Sequence, residues 1–133
     1  MKDSYCRLVD MLAGLEDTDR LFDGRKTVYL SLPDDEPAME LLGKYLSVSG
    51  WAGEDRSLVS PVLAAFVYGE DGQPKYSGKQ IGSIAKDLIR KCDEFWVLLD
   101  RLSPNIVSEI YEAARQGKRV YGVYRRKEDD PNE

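Results

Sequence analysis

Apolar residues follow two different patterns along this 133-residue chain, and the two patterns alternate. Helical spacing, with apolar side chains three and four positions apart, predicts amphipathic helices in four segments. Short, nearly continuous apolar or β-branched runs predict buried strands in four others. The predicted helices are residues 3–15, 36–47, 77–91 and 103–116, and the predicted strands are residues 26–33, 57–62, 94–100 and 119–124.

Strands without polar alternation, interleaved with helices, are typical of a parallel sheet that is covered on both faces. We therefore predict a single α/β domain over residues 1–133, doubly wound and flavodoxin- or Rossmann-like, with three layers and a mostly parallel sheet. An N-terminal helical segment (1–22) precedes the first strand, and a charged tail (125–133) follows the last. The residues predicted to be buried in the sheet are Val28, Leu30, Val97 and Leu98.

Two local features qualify this pattern. Gly50 follows the second helical segment and predicts its end there, since glycine is common just after a helix. Residues 63–77 contain glycine and proline without a clear apolar period, which predicts a long loop.

Composition narrows the possible functions. The absence of histidine excludes Ser-His and Cys-His nucleophile pairs and removes the commonest metal ligand, so catalysis is expected from carboxylates, Tyr or Lys, without a metal or cofactor. The net charge of −5 opposes binding to nucleic acid polymers. No apolar run is long enough to span a membrane, and the first residues do not resemble a signal peptide. We therefore expect a cytoplasmic protein in which Cys6 and Cys92 are free thiols.

In doubly wound sheets the ligand site lies beyond the carboxyl ends of the strands, which draws attention to the loops after Leu32, Val62 and Asp100. Ser103 and Pro104 are typical of the cap and first residue of a helix. Glu109 then falls in the first turn or two, where the helix dipole stabilises an anion. An ordinary helix-start acid and a functional carboxylate are both open interpretations at this point.

Three stretches, "VYLSLP", "IAKDLIRKCDEFWVLLD" and "SPNIVSEIYEAARQGKRVY", together resemble the nucleoside 2-deoxyribosyltransferase-like family. That family includes base-exchanging transferases, nucleoside 5′-monophosphate N-glycosidases and many short phage and bacterial relatives. The resemblance covers most of the chain from Lys26 to Tyr124. It implies that Tyr29, Asp87 and Glu109 form the active site.

The resemblance implies cleavage or exchange of an N-glycosidic bond, whose transition state has oxocarbenium character at C1′. Glu109 would be the nucleophile, and Tyr29 would hold it by a hydrogen bond. Asp87 would protonate the departing base, with its pKa raised by burial and by the second carboxylate.

Further residues are candidates for binding the substrate. In this family, a serine at the position of Ser103 is typical of the monophosphate hydrolases, so Ser103 favours a nucleotide. A phosphate at this helix start would meet backbone amides from Asn105 onwards and the hydroxyls of Ser103 and Ser108. Ser31 and Ser60 lie at the ends of the first two strands and are candidates to line the pocket.

The chain also departs from the family pattern. Glycines are common in the family before the catalytic Glu and after the first strand, where this chain has Asn105 and Val107 in the first place and Leu32 in the second. Asn105 can adopt a left-handed turn, whereas Val107 and Leu32 are expected to narrow the pocket. The acidic run 34–36 would repel a phosphate if it faced the site.

The resemblance further implies a homodimer or larger homo-oligomer, since family members complete their pockets with a neighbouring subunit. Tyr5, Leu8, Met11 and Leu12 offer an apolar face for such contact. A catalytically silent module that binds a nucleotide-like ligand or a protein is the main alternative function. A phosphoribohydrolase of the lysine-decarboxylase-like group is disfavoured, because the glycine-rich PGGxGT turn of that group is missing.

Overall fold

A computed structural model describes residues 4–21 and 24–124 of the chain. It contains four α-helices and four β-strands in these residues, together with short 3₁₀ turns. The helices are α1 (Ser4–Ala13), α2 (Ala38–Ala52), α3 (Gly78–Lys91) and α4 (Pro104–Arg115). The strands are β1 (Lys26–Ser31), β2 (Arg56–Val59), β3 (Glu94–Leu98) and β4 (Val120–Val123).

The four strands form one parallel sheet in the order β2-β1-β3-β4. Val28 of β1 lies opposite Leu58 on one side and Glu94 on the other, and Trp96 of β3 lies opposite Tyr121 of β4. The chain runs from β1 to β2 and then crosses back over β1 to reach β3, so the strand order reverses between β1 and β3. The loops after these two strands therefore border the crevice where doubly wound domains bind ligands.

Helices cover both faces of this sheet. α2 connects β1 to β2, whereas α3 and α4 connect strands in the opposite direction, so right-handed crossovers place α2 on one face and the other two helices on the other. α1 packs against α2, and α3 packs against α4. The prediction of a doubly wound α/β domain is confirmed. The four predicted core residues, Val28, Leu30, Val97 and Leu98, are each at most 1% exposed.

The predicted end of the second helix is wrong. α2 continues through Gly50 to Ala52, and the glycine that ends it is Gly53, with φ of 91°. Val48 and Ala52 are buried in the core, and their burial outweighs the cost of about 1 kcal/mol for glycine inside a helix.

The predicted loop over residues 63–77 is partly ordered. A 3₁₀ helix over Pro61–Phe66 buries Leu63 and Ala64, and it also ends the second strand earlier than predicted. Beyond it, Tyr68 and Pro74 form an isolated antiparallel bridge. The local pattern missed this turn because all six of its residues are apolar, and so short an unbroken apolar run shows no helical period.

The apolar face of α1 lies against its own domain. Met11 is only 3% exposed, and Leu8 and Leu12 pack against the same core. The side chain of Tyr5 lies outside the described residues. Because this apolar face packs within its own domain, it no longer supports contact with a second copy of the chain. The homo-oligomer stays a prediction.

No helix within residues 4–21 and 24–124 combines the length and the apolar composition needed to cross a membrane. Cys92 is a buried free thiol, as predicted. The side chain of Cys6 and the charged tail (125–133) lie outside the described part of the chain.

Candidate functional site

Glu109 lies in the second turn of α4, at the carboxyl edge of the sheet. Pro104 is the first residue of the helix and Ser103 is its cap, as predicted from the sequence. Proline suits this position because the first helical amide needs no acceptor. The Val107 amide donates to the Ser103 carbonyl at 3.2 Å, so the helical hydrogen bonds already begin two residues before Glu109.

Three side chains donate hydrogen bonds to the Glu109 carboxylate. The Tyr29 hydroxyl and the Ser31 hydroxyl both donate to Oε1, at 2.8 and 2.9 Å. The Asn105 amide donates to Oε2 at 3.2 Å. Tyr29 and Ser31 are two positions apart on β1, so they point to the same face of the sheet, where α4 lies. The predicted contact between Tyr29 and Glu109 is therefore present.

Asn105 joins α4 to the loop that follows β1. Its Nδ2 group donates to the Leu32 carbonyl at 2.9 Å as well as to Glu109. Its Oδ1 atom accepts from the Asp34 amide at 3.1 Å and from the Ser103 hydroxyl. All four hydrogen-bonding positions of the side-chain amide are thus occupied.

This role of Asn105 differs from the expected one. The sequence suggested a left-handed turn at Asn105, but no residue other than glycine has a positive φ among the described residues. Asn105 is the second residue of α4 and acts through its side chain. The physical reason is that its amide can both donate and accept, which a glycine could not do.

The site favours a neutral tyrosine beside a carboxyl group that is harder to ionise than usual. Burial raises the pKa of Glu109, and the charge of Asp34 acts in the same direction, against hydrogen bonds from Tyr29, Ser31 and Asn105 that lower it. Burial and the neighbouring Glu109 raise the pKa of Tyr29 well above its ordinary value. The Tyr29 proton therefore stays on its hydroxyl, where it is donated to Glu109.

Asp87 lies apart from this carboxylate. It is near the end of α3, which runs antiparallel to the strands, so it lies towards their amino ends, whereas Glu109 is at their carboxyl ends. Its carboxylate accepts from Thr18 at 2.9 Å and pairs with Lys91 at 3.1 Å and with Arg90 at 2.6 Å. Burial acts to raise the pKa of Asp87, but these partners outweigh it and lower the pKa. The predicted raised pKa is wrong, because three donors stabilise the ionised form.

Three of the four predicted substrate-binding serines are buried and bonded inside the protein, and the first, Ser31, donates to Glu109. Ser60 is fully buried and donates to the Leu30 carbonyl at 2.8 Å. Ser103 is 1% exposed and donates to Oδ1 of Asn105. Ser108, by contrast, is exposed on α4. The hydroxyl proton of Ser103 is therefore already committed, which weakens the expectation that Ser103 holds a phosphate.

An ion-pair network borders the site and links the loops after β1 and β3. Arg101 binds both carboxylate oxygens of Asp35 at 2.6 and 2.7 Å, and it reaches Glu36 at 3.3 Å. Lys44 of α2 is buried and pairs with Glu36 at 2.5 Å and with Asp100 at 3.0 Å. Neither cation was predicted from the sequence, although Arg101 follows β3 at the edge where the acidic run follows β1.

Asp34 remains outside this network. Its side chain is exposed and forms no ion pair with any residue that the structure describes. Its backbone amide is held by Asn105, and its charge acts on Glu109. The acidic run therefore does face the site, through Asp34.

The two bulky residues at family glycine positions do not fill one closed pocket. Leu32 is 1% exposed and belongs to the hydrophobic core. Val107 is 56% exposed on the surface of α4. Leu32 thus occupies core volume, whereas the Val107 side chain lies on the surface of α4.

The arrangement leaves one oxygen of Glu109 with spare capacity. A carboxylate oxygen has about two acceptor positions. Oε1 fills both with the bonds from Tyr29 and Ser31, whereas Oε2 accepts the longer bond from Asn105. Oε2 therefore keeps an acceptor position that no described side chain fills, while the two bonds to Oε1 hold the carboxylate in place.

Comparison of the chain with protein-family profiles, with curated proteins and with solved structures finds no match.

Proposed function

We propose that the protein cleaves or exchanges the N-glycosidic bond of a nucleoside, with Glu109 as the nucleophile. The observation that supports this proposal is the convergence of Tyr29 and Ser31 on one oxygen of Glu109, at 2.8 and 2.9 Å. A carboxylate that is oriented by two hydroxyl donors and lies at the strand-order reversal, where such folds bind ligands, is suited to act as a nucleophile.

The proposed reaction has two displacements at C1′. In the first, Oε2 of Glu109 forms a bond to C1′ while the C1′–N bond breaks, and the departing base keeps the electron pair and takes up a proton. In the second, water or another base attacks C1′ and the ester bond breaks, which returns its electron pair to Glu109. Water gives hydrolysis, and a second base gives exchange.

The charges around the site favour a nucleoside over its 5′-monophosphate. Five carboxylates lie on the loops after β1 and β3 and in α4, whereas the cations that pair with them are Lys44 and Arg101. A phosphate would have to approach this negative region without the Ser103 hydroxyl, which donates to Asn105. The five carboxylates belong to Asp34, Asp35, Glu36, Asp100 and Glu109.

The test is base release by the purified protein from nucleosides, deoxynucleosides and their 5′-monophosphates, followed by chromatography. Glu109→Gln should lower turnover at least about a thousandfold, since it removes the attacking group. Glu112→Gln is the matched control, because Glu112 lies one turn further along α4 and pairs with Arg115. Equal turnover by Glu109→Gln and wild type would contradict the proposal.

The ion pairs of Asp87 favour a second candidate function, a module that binds a nucleoside without turning it over. If the site lacks an acid, it can still hold a sugar by hydrogen bonds to Glu109. Calorimetry would then detect nucleoside binding that Glu109→Gln weakens, with no base released over long incubation.

A further inference from the structure

The proposed reaction needs an acid that the predicted site does not supply. A departing base is a poor leaving group unless it is protonated as the C1′–N bond breaks. Asp87 lies towards the opposite edge of the sheet and is held ionised by Thr18, Lys91 and Arg90. The acid must therefore come from another residue near Glu109.

Most acidic groups at this edge are already engaged. Asp35 pairs with Arg101 through both oxygens, and Glu36 and Asp100 pair with the buried Lys44. Cations at such short distances stabilise the ionised form of a carboxyl group and so oppose proton donation.

Asp34 differs from these carboxylates in both position and partners. Its amide donates to Oδ1 of Asn105 at 3.1 Å, and Nδ2 of the same Asn105 donates to Glu109 at 3.2 Å. One side-chain amide thus fixes the backbone of Asp34 relative to the Glu109 carboxylate. The Asp34 side chain is exposed at the carboxyl edge and is not in an ion pair with any described residue.

We propose that Asp34 is the general acid and base of this site, which rests on the proposed function of Glu109. In the first displacement the carboxyl proton of Asp34 passes to the base as it takes the electron pair of the C1′–N bond. In the second, Asp34 accepts the proton of the attacking water as the ester bond to Glu109 breaks.

The structure thus assigns the acid to the loop after β1, rather than to α3 as the sequence suggested. Paired carboxylates on either side of the scissile bond are what glycosidic cleavage requires.

The test compares two substrates whose bases differ in the need for a proton. Deoxyinosine has a neutral base, whereas 7-methyl-2′-deoxyguanosine has the same sugar and a cationic base that leaves without protonation. Asp34→Asn should lower turnover of deoxyinosine about a hundredfold or more, as expected for loss of a general acid. Turnover of 7-methyl-2′-deoxyguanosine should fall less than about fivefold, because its base needs little acid assistance.

Glu40→Gln is the matched control, since it removes one exposed carboxylate from the start of α2 at the same edge. It should leave both substrates within about threefold of wild type, as expected for a distant surface charge. Circular dichroism and thermal unfolding of Asp34→Asn establish that the variant is folded.

The outcomes separate the two proposals. If Asp34→Asn matches wild type on deoxyinosine while Glu109→Gln is inactive, the role of Asp34 is overturned and the proposed function stands. Equal losses on both substrates would also contradict an acid, because they would indicate a role in binding. If the wild-type protein releases neither base, the proposed function fails and the assignment of Asp34 fails with it.

Discussion

The Tyr29 hydroxyl lies 2.8 Å from Oε1 of Glu109, although 80 positions separate the two residues in the chain. The sheet brings them together because β1 lies directly beside β3, and α4 follows β3. The ring of Tyr29 also stacks on Phe95 of β3, with centroids 5.1 Å apart and planes 11° apart. The stacking on Phe95 therefore holds the Tyr29 ring in place in addition to the hydrogen bond of its hydroxyl.

Tyr29→Phe should remove the hydrogen bond to Glu109 without disturbing the packing, because the phenyl ring can keep its stacking contact with Phe95. Loss of one hydrogen bond to a charged group, about 1.5–3 kcal/mol, predicts a fall in kcat of roughly ten- to hundredfold. The bond from Tyr29 lowers the pKa of Glu109, so its removal should move the acidic limb of the pH profile to higher pH. Steady-state kinetics across pH measure both effects.

Tyr111→Phe is a suitable control for this change, because Tyr111 is 72% exposed on α4. It should leave kcat and the pH profile unchanged. A Tyr29→Phe variant with wild-type kcat at every pH would show that the hydrogen bond does not contribute to turnover.

Glu109 should also influence how stability depends on pH. Its pKa is raised in the folded protein, mainly by burial. Folding therefore favours the protonated form, and that contribution is fully present below the unfolded pKa and is lost as pH rises through the folded pKa. Glu109→Gln does not titrate, so its free energy of unfolding relative to wild type should increase from acidic to neutral pH.

Urea unfolding of wild type and Glu109→Gln at several pH values between about 4 and 8, bracketing the ordinary Glu pKa, measures this difference. Glu112→Gln should show the opposite trend, because Arg115 lowers the pKa of Glu112. A constant difference between wild type and Glu109→Gln across this range would contradict the raised pKa.

Asp87 is expected to stabilise the fold without taking part in turnover. Its pKa is lowered, so its contribution to stability is present above the unfolded pKa and is lost as pH falls through the folded pKa. Asp87→Asn should cost about 1 kcal/mol at neutral pH, since the side chain is partly exposed, and less at acidic pH. Base release should remain within about threefold of wild type, because Asp87 lies near the other edge of the sheet.

Chemical denaturation at two pH values and the base-release assay test this prediction together. A loss of turnover greater than about a hundredfold in a stably folded Asp87→Asn protein would restore the catalytic role that the family resemblance implies.

The comparison of Glu109 with Asp87 shows what the sequence could predict and why the rest needed the structure. Continuous apolar runs such as "EFWVLLD" identify the parallel strands, and parallel topology then places the start of α4 at the ligand edge. The pairing of Tyr29 with Glu109 was implied by the family resemblance, and the topology agrees with it because both residues lie near that edge. The resemblance placed Asp87 in the same site, whereas the end of α3 lies towards the amino ends of the strands, where Asp87 meets Thr18 from a segment 69 positions away.

The network around Lys44 was missed for a related reason. Helical spacing shows which positions of α2 face the core, but it does not show that a lysine at one of them meets two acids from different loops. Asn105 was likewise considered for its backbone, whereas its side chain has the structural role. Local patterns predict elements and faces, but side-chain partners depend on contacts between distant segments.

Lys44 provides the last prediction, because its charge is almost fully removed from water. Its side chain is 7% exposed, and that of its partner Glu36 is 10% exposed. Lys44→Met would leave the Glu36 charge buried with only the longer contact to Arg101, at 3.3 Å. Since removal of one partner from a buried pair is strongly destabilising, we expect a loss of roughly 2–4 kcal/mol in the free energy of unfolding.

Adding Glu36→Gln to this variant should recover part of that loss, because the unpaired charge is then gone. Lys26→Met is the control, since Lys26 is 54% exposed in its pair with Glu94 and should cost less than about 1 kcal/mol. Urea unfolding at neutral pH measures all three variants, and similar losses for Lys44→Met and Lys26→Met would mean that the buried pair does not hold the loop after β1 in place.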